Sequence, residues 1–277
     1  MKFIAGNGDI PVSPSADGSD QDHIDLTGSE PRVSARFLHL VTAFLCLTAV
    51  MLVLPDLTRL TVFPFVLVGW LISLCVHEFG HAVVAYHSGD RSMRNKGYLT
   101  LDPMRYTDLQ SGIIWPLIFL AMGGIGLPGG AVYLNSAALR SPAHRSLVYA
   151  AGPLATLAVL ILLLAVLRAA GNSPAVTPPL HAALAFLAFL QLTALVLNLL
   201  PIPGLDGWGI IKPWIPGLRG AADGGIARIA PVVLLLSFLF VPGVSDMFWR
   251  LVLDLCRTIG LDMPEAMRGL QLFQFWR

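Results

Sequence analysis

Six apolar runs, at about 37–55, 60–86, 111–128, 146–168, 180–200 and 229–242, govern what this chain can fold into. A helix needs roughly 20 apolar residues to cross a bilayer. Four runs reach that length, and 111–128 and 229–242 fall short of it. An ordinary soluble core has no need of such runs. Only 13% of the 277 residues are charged, against about a quarter in soluble domains. The expectation is an all-α polytopic membrane protein with five to six transmembrane helices. The net charge of +1 gives no hint of a nucleic-acid partner, no basic stripe appears, and none is expected. The three cysteines form no C-x-x-C pair, so no disulfide framework is expected.

Residues 1–35, rich in Ser, Asp, Gly and Pro, lack an apolar segment of the secretory type and read as a flexible tail. Residues 36–242 form the membrane-embedded domain. Residues 243–277 mix apolar positions with Arg250, Arg257 and Arg268, and read as an interfacial helix, a last span or a tail.

Late in the second run stands His77-Glu78-Phe79-Gly80-His81. On a helix, positions i and i+4 share a face. Two imidazoles so placed can reach one zinc ion, with Glu78 beside the water it would carry. Ionisable groups within a membrane helix are costly and mark function. The plainer reading is a polar cluster that hydrogen-bonds neighbouring helices. Cys75, two residues earlier, reads as a small buried apolar side chain.

A catalytic zinc needs a third protein ligand. His87 is too near along the same helix, and His39, His144 and His181 sit at segment ends. The best candidate is Asp206, which follows the fifth long run in Pro201-Ile202-Pro203-Gly204-Leu205-Asp206-Gly207. The prolines stop the helix and the glycines allow a sharp turn, so the carboxylate can point back into the bundle. Its plainer reading is a capping Asp in a surface turn.

With Asn198-Leu-Leu-Pro201-Ile-Pro203-Gly-Leu-Asp206-Gly207 downstream of the histidine motif, the sequence resembles the site-2 protease family of intramembrane zinc metalloproteases. Gly97-Tyr98-Leu99-Thr100-Leu101-Asp102-Pro103 is similar to its G-x-x-T-L-N-P segment, and Ala151-Gly152-Pro153 to the start of its A-G-P-x-x-N helix. Asp102 and Thr156 stand where that pattern has Asn. No PDZ-like or CBS-like insert is visible. The resemblance implies one zinc per chain held by His77, His81 and Asp206, Glu78 as general base, and Asn198 as an oxyanion donor. It further implies cleavage of transmembrane protein substrates within the bilayer, in regulated intramembrane proteolysis. The competing readings are a transporter or channel lined by polar residues, an inactive scaffold, and a zinc enzyme acting on a small or lipid substrate.

One shared ion also constrains the threading. Asp206 follows the fifth run and the histidines end the second, so those helices should run parallel, with an odd number of crossings between them. Of the two intervening runs, 111–128 is rich in glycine and carries Pro116 and Pro128, which suits a re-entrant or membrane-dipping segment near 111–130. Basic residues agree. With a cytoplasmic N-terminus, a crossing 111–128 divides Lys and Arg up to residue 228 eight against six. A non-crossing one divides them twelve against two, leaving only Arg59 and Arg168 outside. That places a multi-pass protein in the cell membrane with its metal site nearer the cytoplasmic face.

Overall fold

The computed structural model describes residues 33–106, 138–171, 176–218, 233, 236–238, 240–241 and 243–276. Helices dominate, and no strand occurs among the described residues. Four are long and apolar enough to span a membrane: α1 (Ala35–Val53), α2 (Thr58–Ser88), α3 (Pro142–Ala170) and α4 (Pro178–Asn198). Each lies within four residues of its predicted bounds. Shorter helices follow: α5 (Asp206–Ile211), α6 (Val244–Ile259) and α7 (Met263–Phe273). The predicted dipping segment at 111–128 and tail residues 1–32 lie outside the described residues, as does most of 229–242.

Local chemistry sets the helix ends. Ser34 and Ser141 cap α1 and α3, their hydroxyls accepting from the Phe37 and His144 amides. Gly89, at φ 125°, closes α2. Pro201 and Pro203 prevent α4 from continuing beyond its end.

Helix directions follow from contacts at three levels. The Thr177 hydroxyl donates to the Met51 carbonyl at 3.1 Å, placing the start of α4 beside the end of α1 and hence near the start of α2. Halfway along, Gly69 of α2 faces Leu187 of α4. At the far end, the α2 histidines meet Asp206, just past α4. α2 and α4 are therefore parallel, with α1 and α3 antiparallel to them. Tyr106 and Leu139 share one apolar cluster with Cys75, Ala82 and Ala85, and the Arg140 amide donates to the Ser88 carbonyl. The chain thus leaves at residue 106 and returns at 138 at the same end of the bundle, where α2 finishes. That end also carries Arg36, Arg91, Arg94, Lys96, Arg105, Arg140, Arg145 and Lys212, whereas Arg59, Arg168, Arg257 and Arg268 lie at the other.

α4 forms the core, buried over nearly its whole length among α1, α2, α3, α6 and α7. Glycines bring the helix backbones together, as in membrane bundles generally. Gly80 of α2 lies against the Ala151 carbonyl of α3, and Gly269 of α7 against the Ala182 carbonyl of α4. The C-terminal stretch is two packed helices, with Trp249 stacked on Phe189, and Phe273 against Phe63 and Phe186.

Candidate metal centre

α2 supplies His77, Glu78 and His81, all buried in its C-terminal half. One turn of helix separates the histidines, and their Nε2 atoms converge to 3.1 Å. Asp206 arrives from a different part of the chain. After α4, the Ile202 amide donates to the Leu200 carbonyl and the Leu205 amide to the Ile202 carbonyl, forming a tight turn with Gly204 at φ 94°. Gly207 then lies against the Leu199 and Leu200 carbonyls, where no side chain fits. The turn folds back on the end of α4 and aims the Asp206 carboxylate inward.

α3 fixes the position of α5. The Ser146 hydroxyl donates to the Ile210 carbonyl at 2.6 Å and accepts from Trp214 Nε1 at 2.8 Å. Gly209 lies flat against the Tyr149 ring. Asp206 Oδ2 comes within 3.2 Å of His77 Nε2, and Oδ1 within 3.2 Å of His81 Nε2. Burial works against the Asp206 charge, but the imidazoles of His81 and His77 outweigh it and hold the carboxyl well below the usual carboxylate range.

These distances fit a metal. A tetrahedral zinc with nitrogen and oxygen ligands at about 2.0–2.2 Å sets those ligands about 3.3–3.6 Å apart, a few tenths of an ångström beyond the separations here. His77, His81 and Asp206 lie close enough to hold one ion together. The outer ring nitrogens are already engaged: His77 Nδ1 is hydrogen-bonded to Thr156 Oγ1 at 2.8 Å, and His81 Nδ1 to the Val148 carbonyl at 2.7 Å. Both Nε2 atoms are therefore left facing the carboxylate. Gly152 sits directly opposite, and a Cβ there would fall on both Nε2 atoms. The donor set and the space around it suit one zinc ion.

Glu78 is buried on α2 between His77 and His81 in sequence. Asn198, the last residue of α4, is buried eight positions before Asp206. Cys75 is buried but stands outside the metal group, and His39 is exposed. His144 pairs with Ser141, and His181 with Glu265 at the opposite end of the bundle. Three contributors were not among the expected site residues: the Val148 carbonyl, the Gly152 gap and the Thr156 hydroxyl. The Ala151-Gly152-Pro153 likeness was the one pointer to them, since it marks where α3 meets α2.

The model of "Peptidase family M50" matches residues 65–176. A Mycobacterium tuberculosis (strain ATCC 25618 / H37Rv) protein named "Putative zinc metalloprotease Rip2" is 45% identical over 219 residues, covering 78% of this chain and 82% of its own. The protein of that name from Mycolicibacterium smegmatis is 41% identical over 225 residues, covering 79% and 83%. "Putative zinc metalloprotease YwhC" of Bacillus subtilis is 32% identical over 167 residues, covering 58% and 74%. No solved structure matches the chain.

Proposed function

This chain belongs to peptidase family M50, the site-2 type of membrane zinc metalloprotease, and from that membership we propose that it cuts peptide bonds in or beside transmembrane segments of other membrane proteins. The supporting observation is the buried convergence of two Nε2 atoms and one carboxylate inside an apolar bundle. His77, His81 and Asp206 are the ligands in this reading. When bound, zinc would polarise the scissile carbonyl and make a water acidic enough to ionise near neutral pH.

The chain's own groups do the rest. Glu78 takes the proton of the attacking water and returns it to the departing amine. Asn198 donates its side-chain N–H to the oxyanion as charge develops there. Asp206 and the paired imidazoles keep their geometry because α3 and α5 brace them from two sides. A substrate helix ties up its carbonyls in its own hydrogen bonds, so it must unwind locally before attack. Substrates with helix-weakening residues near the cut follow from this, in regulated intramembrane proteolysis. The cluster of basic residues where α2 and α4 finish favours a cell-membrane orientation with that end cytoplasmic.

The test is Glu78→Gln in proteoliposomes with a single-span substrate peptide. Cleavage should fall below detection while zinc content stays at the wild-type level. Cleavage at the wild-type rate would overturn the proposal. Solute transport that survives Glu78→Gln would favour the transporter reading instead.

A further inference from the structure

We propose that Thr156 is the positioning residue for His77, its hydroxyl fixing the ring's tautomer and rotation so that Nε2 faces the metal. The proposal rests on ligation of zinc by His77, His81 and Asp206. A neutral imidazole that binds metal through Nε2 carries its proton on Nδ1, and that proton needs an acceptor. The two rings meet this need differently. His81 Nδ1–H donates to the Val148 carbonyl, a backbone atom that can only accept. His77 Nδ1–H donates to Thr156 Oγ1, so its orientation depends on one side chain.

Val148, Gly152 and Thr156 are spaced four apart along one stripe of α3. The carbonyl holds one ring, the hydroxyl holds the other, and the glycine between them leaves space for both Nε2 atoms. Thr156 is 3% exposed, so its hydroxyl is part of the packed α2–α3 contact. Among the described residues, the one hydrogen bond of the Thr156 hydroxyl is to His77 Nδ1, and with zinc on Nε2 the ring proton occupies Nδ1. The hydroxyl oxygen is then the acceptor. Without that acceptor, a buried N–H is left unpaired and the ring gains nothing from its present rotation. Partners of this kind are typically worth about tenfold to a hundredfold in metal affinity.

The test uses the full chain in nanodiscs, with zinc affinity read by competition against a chromophoric chelator. Thr156→Val keeps the side-chain shape and removes the acceptor, and Thr156→Ser keeps the acceptor and removes a methyl. The valine variant should bind zinc about tenfold to a hundredfold more weakly, and the serine variant should recover wild-type affinity. With cobalt in the site, the visible spectrum of the valine variant should shift while that of the serine variant matches wild type. Wild-type affinity and spectrum in Thr156→Val would overturn the proposal, as would an equal loss in both variants, which would make the residue's role one of packing. His77→Ala serves as the control. Zinc held at wild-type affinity by His77→Ala would instead overturn the ligand assignment beneath the proposal.

Discussion

The two ends of the bundle use the same device for different purposes. Where α2 meets α3, Gly152 leaves space that two imidazoles occupy. Where α7 crosses α4, Gly269 leaves space that the Ala182 carbonyl and the Phe186 side chain occupy. In the first case the missing side chain makes room for chemistry, and in the second it lets two helices touch. The surroundings differ to match. The metal end is lined by buried His, Glu, Thr and Asn and by the half-buried Asp206. The opposite end is closed by Phe63, Phe186, Phe273 and Trp276. A glycine therefore gains its meaning from what fills its gap.

Substitutions should separate the two uses. The largest effect is expected from Gly152→Ala. Its new methyl falls on both Nε2 atoms, and a packed interior does not yield easily. Zinc affinity should drop by about a hundredfold, measured by chelator competition, with helicity by circular dichroism retained. Gly269→Leu comes next. Overpacking there should cost about 1–3 kcal/mol of stability, seen as a lower thermal midpoint, with one zinc still bound per folded chain. Ser146→Ala removes the hydroxyl that joins Ile210 to Trp214. Losing those bonds should cost about 1 kcal/mol and loosen α5, lowering zinc affinity a few-fold by the same assay. The smallest effect belongs to Arg168→Ala, whose exposed guanidinium bonds the Ile259 carbonyl at the opposite end. It should leave zinc affinity unchanged and change stability, followed through the thermal midpoint, by no more than about 0.5 kcal/mol.

Much of this was legible before any coordinates. Continuous apolar runs reveal spans because lipid admits little else, and the caps and prolines set their ends. The histidines were legible because α2 is regular there, so spacing in sequence becomes spacing on a face. Asp206 was legible because two prolines and two glycines force a turn where α4 ends. What the sequence hides is which helix is central. α1 and α4 are both predominantly apolar, yet α4 is enclosed and α1 is largely exposed. In lipid, apolarity does not mark the inside from the outside, and small residues and packing decide instead. The roles of Thr156 and Gly152 were hidden for a related reason. Each depends on a partner more than 70 residues away along the chain, and neither residue type signals metal chemistry by itself. α6 and α7 read as an interfacial helix, a last span or a tail because their arginines interrupt the apolar pattern, and their packing on α2 and α4 places them.

The most direct measurement is the zinc content of purified wild type beside Asp206→Ala, by elemental analysis, with helicity checked in both. The account predicts one zinc per chain in wild type and essentially none in Asp206→Ala, with helicity unchanged. A full equivalent of zinc in Asp206→Ala would contradict the claim that the turn after α4 completes the metal site begun by α2.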